Sequence, residues 1–194
     1  MILSEKIENL KHVFEPYIKV ENKDILEFFN AGDLVTYEKN FIIKKENQKD
    51  EHLRILLDGI GGLFLVDNSG ELKCVHFVFE DDLLTDYNSL TFDKPTKLII
   101  KTLTKTTAFV ISKDGLKKFL QYNTNALKVL HLGLEMIFEE TFNRYLELLT
   151  LDATERYKLL INTRQDIIQQ VDNKHIASYL GITPQSLSRL KRNI

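Results

Sequence analysis

Residues 173–192 carry the pattern that most constrains the fold. Ala177 is a small residue where two helices could cross, and Gly181 can adopt the left-handed backbone conformation that a tight turn needs. Thr183 is a good N-cap, and Pro184 suits the first position of a helix. Apolar side chains flank the turn on both sides: Ile176, Leu180, Ile182, Leu187 and Leu190. The pattern therefore predicts a helix-turn-helix whose second helix begins at Pro184.

The polar residues of that second helix lie outside its apolar stripe. Gln can pair bidentately with adenine and Arg with guanine, whereas Lys and Arg also neutralise phosphates. Since such a helix places its N-terminal residues in the major groove, Gln185 and Arg189 are predicted to read bases. The predicted DNA-binding residues are Thr183, Gln185, Ser186, Ser188, Arg189, Lys191 and Arg192. The alternative is a helical pair that contacts protein rather than DNA.

Residues 33–112 show short β runs separated by turns. The runs 53–57, 62–66 and 72–79 are divided by Asp, Asn and Gly, which tolerate positive φ and favour hairpins. Further strands are predicted at 41–44, 98–103 and 107–111. Several short strands at this spacing predict a small antiparallel barrel or sandwich.

Helical periodicity precedes and follows these strands. It covers residues 3–30, where Pro16 divides two short helices, and returns at 114–121 and 124–149. The last helix carries a heptad-like seam, and Leu132, Phe138, Phe142 and Leu149 widen its apolar face. It can lie on the barrel alone or also pair with a second copy of itself. The predicted dimerisation residues are Leu127, Leu130, Leu134, Ile137 and Thr141.

Charge and composition narrow the class of protein. Residues 151–194 hold seven Lys or Arg against four acids, whereas residues 1–150 are net acidic, which hints at nucleic-acid binding by the C-terminal part. Because Cys74 is the single cysteine, an internal disulfide, an iron–sulfur cluster and a Cys-rich zinc site are excluded. No signal-peptide pattern and no membrane-spanning apolar run is present. We therefore expect a cytoplasmic location and no membrane partner.

A β-rich N-terminal part, a long apolar-seamed helix and a C-terminal helix-turn-helix together resemble the Crp/Fnr family of bacterial transcription regulators. The resemblance implies an α+β fold: a jelly-roll-like antiparallel β-roll over 1–112, a connecting and dimerisation helix over 113–150, and a DNA-binding domain over 151–194. By the same resemblance residues 182–189 match the recognition helix, in which Ser186 contacts a phosphate. The implied partners are a second copy of the chain, double-stranded DNA carrying an inverted repeat, and RNA polymerase.

The segment 82–97 departs from the cyclic-nucleotide-binding members of that family. They carry a Gly-Glu pair and, about ten residues later, Arg followed by Ser or Thr. Here the candidate effector pocket has Thr85 and Asp86 at the first pair and Thr96 and Lys97 at the second. The arginine that would grip a phosphate bidentately is absent, and acidic residues crowd the segment. We expect neither cAMP nor cGMP to bind, identify no cofactor, and leave another small-molecule effector open.

The sequence gives little support for an enzyme. A cupin-like β-roll enzyme would need clustered His with a nearby Glu, and only His76 with Glu80 fits part of that pattern. No nucleophile–base arrangement and no Gly-rich phosphate loop is present. His175 is interpreted as a surface residue of the helix-turn-helix. We predict no catalytic and no metal-binding residue, and keep the cupin-like enzyme as an alternative.

Overall fold

A computed structural model describes residues 16, 17, 19 and 21–192. In this part of the chain seven strands form two antiparallel sheets, with strand orders β1-β7-β3 and β2-β6-β4-β5. The six strands predicted from the sequence are all present, with bounds that agree within one residue. The strands are β1 (Asp33–Tyr37), β2 (Ile42–Lys44), β3 (His52–Asp58), β4 (Gly61–Val66), β5 (Leu72–Val78), β6 (Ile99–Thr102) and β7 (Thr106–Ser112).

Helices flank this β-roll and form the C-terminal part. The predicted helices at 114–121 and 124–149 are confirmed, again within one residue, whereas the helix predicted before Pro16 lies outside the described residues. The helices are α1 (Asn22–Asn30), α2 (Tyr87–Phe92), α3 (Lys113–Tyr122), α4 (Thr124–Thr150), α5 (Ala153–Thr163), α6 (Ile167–Gln170), α7 (Asn173–Tyr179) and α8 (Pro184–Arg192). No helix in the described ranges is long and apolar enough to span a membrane.

Four elements, β1, α2, α5 and α6, were not predicted individually. The β1 strand has the sequence Asp-Leu-Val-Thr-Tyr, in which two apolar residues are adjacent, so the regular apolar–polar alternation that marks a strand in a sequence is absent there. The short α2 helix lies inside the polar segment 82–97. It begins where the Asp86 side chain accepts a hydrogen bond from the Ser89 N–H at 3.1 Å, and it ends at Asp93 with φ of 52°.

The two sides of the second sheet pack against different regions. Ile100 of β6 is buried inside the roll with Leu56 of β3. On the opposite face Phe64 and Phe77 share a hydrophobic cluster with residues of the C-terminal helices. These include Tyr157, Leu160, Ile167, Ile176, Leu180 and Leu187. We call residues 33–112 the roll and residues 151–192 the reader; the two regions are packed around one shared cluster.

Candidate nucleic-acid interface

The helix-turn-helix forms as the local sequence predicts. Gly181 has a φ of 71°, a conformation that costs other residues free energy. The hydroxyl of Thr183 accepts a hydrogen bond from the Ser186 N–H at 3.1 Å, which is the expected N-cap of α8. Ala177 and Leu187 are fully buried between the two helices and the roll. The helix-turn-helix predicted over 173–192 is therefore confirmed as a structure.

The predicted DNA-binding residues divide into two groups in the structure. The side chains of Gln185, Arg189 and Arg192 are exposed on the side of α8 away from Leu187, and none has a hydrogen-bond or ion-pair partner among the described residues. The other four have partners. The Thr183 and Ser186 hydroxyls lie 3.0 Å apart; the Ser188 hydroxyl donates to the Pro184 carbonyl at 3.0 Å; and Lys191 Nζ donates to Asn173 Oδ1 at 2.5 Å.

The first helix of the pair, α7, docks on strand β5 of the roll. The Cys74 N–H donates to the Ser178 hydroxyl at 2.8 Å. The rings of Phe77 and Tyr179 have centroids 4.7 Å apart. These contacts leave α8 on the outer side of the reader, so docking on the roll does not cover the unpaired side chains of α8.

His175 is buried at this junction, which corrects its interpretation as a surface residue. Its side chain packs edge-on against Phe64, with ring centroids 5.1 Å apart, because α7 turns the face that carries His175 and Tyr179 towards the sheet. The residue is 3% exposed, and its Nε2 has no hydrogen-bond partner. Burial, with the nearby charges of Lys101 and Lys174, lowers the pKa of His175 to about 4, although Asp172 acts in the opposite direction.

Two arginines hold the end of α7 in place. The Arg144 guanidinium of α4 lies 3.9 Å from the centre of the Tyr179 ring and donates to the Tyr179 carbonyl. Arg156 of α5 donates to the Leu180 carbonyl at 2.9 Å. Carbonyls at a helix C-terminus lack partners within the helix, so both arginines supply them. Sequence reasoning missed these residues, because nothing in the local pattern marks an arginine as the partner of a carbonyl 24 or 35 positions away.

The long helix α4 presents an apolar stripe to solvent. Leu130 packs against the roll, Leu134 is half-buried, and Leu127 and Thr141 are exposed. Ile137 is 36% exposed, whereas the neighbouring Phe138 is 71% exposed. The largest exposed apolar side chains beyond Ile137 are Phe138, Phe142, Tyr145, Leu148 and Leu149. The centre of the free apolar face therefore lies about one residue further along the helix than the predicted seam.

The structure brings together three of the four residues of the candidate effector pocket. Lys44 Nζ lies 3.1 Å from Asp86 Oδ2, and the Thr96 hydroxyl donates to the same carboxylate. The Thr85 hydroxyl accepts from the Arg54 N–H at 2.7 Å. By contrast, Lys97 is exposed. The interior side of the segment is thus occupied by a buried ion pair between Lys44 and Asp86.

A second buried ion pair lies beside the first. Arg54 Nη1 donates to both carboxylate oxygens of Asp50, at 2.8 and 3.0 Å, and Asp50 Oδ2 accepts the Asp86 N–H at 2.9 Å. Sequence reasoning missed Lys44, Asp50 and Arg54, because they lie on other elements, more than 30 residues before Asp86 or Thr96. In the described part of the chain no group of three or more His, Cys, Asp or Glu is placed to hold a metal ion. The cupin-like alternative therefore has no candidate metal centre there.

Comparisons with known proteins identify the fold. No family model matches the sequence, and no curated protein matches it either. Among solved structures, the c-di-GMP-responsive global regulator CLP of Xanthomonas campestris is similar at 14% identity and a TM-score of 0.69, over 89% of this chain and 91% of that one. FixK2 of Bradyrhizobium japonicum is similar at 16% identity and a TM-score of 0.70, over 84% of this chain and 83% of that one.

A third structure bears directly on the family expected from the sequence. It is a transcriptional regulator of the CRP/FNR family from Thermus thermophilus, with 13% identity and a TM-score of 0.65 over 81% of this chain and 83% of that one. At such identities the likeness concerns the fold. The chain therefore has the α+β fold of the Crp/Fnr transcription regulators, as the resemblance in its sequence predicted.

Proposed function

We propose that the protein is a dimeric, sequence-specific regulator of transcription that binds double-stranded DNA in the cytoplasm through α8. The observation that carries this proposal is the exposed face of α8, where Gln185, Arg189 and Arg192 have no partner within the described chain. Gln and Arg are the side chains that pair bidentately with adenine and guanine. The fold supports the same function, since the similar structures include transcriptional regulators.

The apolar stripe of α4 supports a two-fold dimer. Phe138, Phe142, Tyr145 and Leu149 recur at steps of four, three and four residues, so they share one side of the helix. Apolar side chains of this size gain free energy when a second copy removes them from water. A two-fold dimer formed through α4 contains two copies of α8. Paired recognition helices of this type bind half-sites about one duplex turn apart, which suits an inverted repeat.

The roll then acts in this proposal without a cyclic nucleotide. The Asp86 carboxylate is already neutralised by Lys44 and bonded to Thr96 and Ser89. A cyclic phosphate would have to replace these bonds, and Arg54, the arginine beside the site, is already bound to the Asp50 carboxylate. Any other effector would act by changing how the roll and the reader are docked.

Selection from random DNA duplexes at moderate salt tests the proposal. We expect an enriched inverted repeat. Arg189→Ala should cost about 1–3 kcal/mol of binding free energy per half-site and relax the preference at one base pair in each half. Lys158→Ala, an exposed residue of α5 in the same reader, is the matched control and should bind as the wild type does. No enriched motif, together with unchanged binding of random DNA by Arg189→Ala, would instead favour a protein partner for the helical pair.

Sedimentation of a Phe138→Asp variant tests the dimer. An unpaired charge at the centre of the stripe would be buried in the interface, at a cost of several kcal/mol. We expect a monomer with an unchanged circular dichroism spectrum. Phe92→Asp is the matched control, because Phe92 is an equally exposed phenylalanine on the roll, in α2. A wild-type chain that sediments as a monomer would contradict the dimer without any variant.

A further inference from the structure

Three lysines from three different elements lie at one side of the docked reader. Lys174 is in the first turn of α7, next to the buried His175. Lys191 comes from α8, and its Nζ donates to Asn173 Oδ1 at 2.5 Å, so its ammonium group is held at the start of α7. Lys101 comes from β6 of the roll. We call these three residues the lysine cluster.

The register of the sheet fixes the side of β6 on which Lys101 lies. Ile99 pairs with Phe64 and Lys101 pairs with Gly62, and directly opposed residues of neighbouring strands share one face. Phe64 contacts His175 on that face, whereas the alternate residue Ile100 is buried inside the roll. Lys101 is therefore on the face of the sheet that the reader covers, beside α7.

The charges of Lys101 and Lys174 act on each other, and Lys191 is held at the same end of α7. Lys101 is half-buried, and the combined effect of burial and the charge of Lys174 lowers its pKa, with Asp172 opposing. Burial also lowers the pKa of Lys191. Within the described chain none of the three lysines has a carboxylate within ion-pair distance. Like charges held together without acidic partners repel one another, and a bound polyanion removes that repulsion.

We propose that the roll itself takes part in binding DNA, with Lys101 contacting the phosphate backbone next to the phosphates held by Lys174 and Lys191. This inference rests on the proposed function of α8. In helix-turn-helix complexes the first helix crosses the DNA backbone; here that helix is α7, whose N-terminal turn carries Lys174 and lies beside Lys101. With this contact the roll and the reader bind the same DNA molecule. DNA would therefore stabilise the docked arrangement relative to an undocked one.

Salt dependence of binding tests this contact. Affinity for the selected duplex and for a random duplex is measured by fluorescence anisotropy over a series of salt concentrations. For Lys101→Gln the slope of log K against log salt should become shallower by about 0.9 for each phosphate that the variant no longer neutralises, and therefore by about twice that in a dimer. Both duplexes should lose affinity by the same factor, because a phosphate contact carries no sequence information.

Two further variants keep the test specific. Lys101→Arg keeps the charge and should retain the wild-type slope. Lys105→Gln, which changes a lysine of the same roll that is 69% exposed and lies 4.0 Å from Glu38, should also leave the slope unchanged. A wild-type slope in Lys101→Gln, or a loss confined to the selected duplex, overturns the contact while leaving the function of α8 intact. A wild-type protein that binds neither duplex overturns the proposed function and this contact together. If such a protein binds an acidic peptide instead of DNA, the partner is a protein.

Discussion

The segment 82–97 and the helix α8 are both rich in polar residues, and the sequence resemblance predicted a ligand-binding element in each. Their side chains end in opposite environments. In segment 82–97 the Asp86 and Ser89 side chains are fully buried and hydrogen-bonded inside the chain. In α8 the Gln185 and Arg189 side chains are exposed to water, with no partner among residues 21–192. A polar pattern therefore indicates a binding site only where the fold leaves its side chains free.

The two environments have different energetic consequences. A buried polar group must be hydrogen-bonded, since an unsatisfied one costs about 1–3 kcal/mol. Asp86 is therefore committed to Lys44, Thr96 and Ser89 for the stability of the roll. A solvated arginine such as Arg189 makes no such contribution and is available to a ligand. Substitutions in segment 82–97 should affect folding, and those in α8 should affect binding.

The largest expected effect concerns the buried ion pair of the roll. Lys44→Met leaves the Asp86 carboxylate buried without its cation, so the free energy of unfolding should fall by about 3–5 kcal/mol. Arg189→Ala should change it by no more than about 0.5 kcal/mol. Urea unfolding of both variants measures the contrast.

A double variant serves as the control for that contrast. Lys44→Met with Asp86→Asn removes both charges while keeping an oxygen that can accept the Ser89 N–H, so it should recover much of the lost stability. If Lys44→Met alone loses less than about 1 kcal/mol, the segment is not held by this pair, and the comparison with α8 fails.

A smaller effect is expected from His175. This residue belongs to the reader, but it is buried, like the polar residues of segment 82–97. Its pKa is about 4 in the folded chain and about 6.5 when unfolded. The unfolded state therefore binds the proton first as the pH falls, and the free energy of unfolding should decrease between pH 6.5 and 4, by at most about 3 kcal/mol.

Comparison with His175→Gln isolates this contribution. Burial also raises the pKa values of the Asp82 and Glu140 carboxyl groups, but both groups are present in both proteins. The difference in unfolding free energy between wild type and variant should thus be largest at pH 7 and shrink towards pH 4.5. Parallel curves would show that His175 is not buried as a neutral ring.

The smallest effect is the one expected for cyclic nucleotides. Because Asp86 and Thr96 are bonded to each other and to Lys44, cAMP or cGMP titrated to millimolar concentration should give no saturable heat in calorimetry. Lys44→Met, which loosens the same segment, should not gain affinity, since Thr96 still stands where the resemblance expects an arginine and Arg54 remains bound to Asp50. A micromolar dissociation constant for either nucleotide would show that segment 82–97 also binds a ligand, and the contrast with α8 would fail.

Sequence reasoning succeeded where local chemistry decides structure. Gly181, Thr183 and Leu187 locate the helix-turn-helix because turn geometry, capping and a short apolar stripe are all local. The bounds of the strands follow from the same kind of signal. Reasoning of this kind did not place His175, because its burial depends on Phe64, more than 100 residues earlier in the chain.

The candidate site shows the same limit. Gln185 and Arg189 were identified by residue type and position on a helix. By contrast, Lys44, which pairs with Asp86, and Lys101 of the lysine cluster both come from strands. The register of those strands is not specified by any local sequence pattern. The exposed apolar face of α4 lies about one residue from the predicted seam, because which side of α4 faces the roll depends on tertiary packing.

The shared hydrophobic cluster has a consequence for how the chain is made. A region of about 40 residues rarely encloses a core of its own, and here Ile176, Leu180 and Leu187 are completed by Phe64 and Phe77 of the roll. Synthesis proceeds from the N-terminus, so the roll leaves the ribosome first and can fold before the reader emerges. The helices of the reader then meet a surface that is already formed, and the roll serves as the template on which they fold.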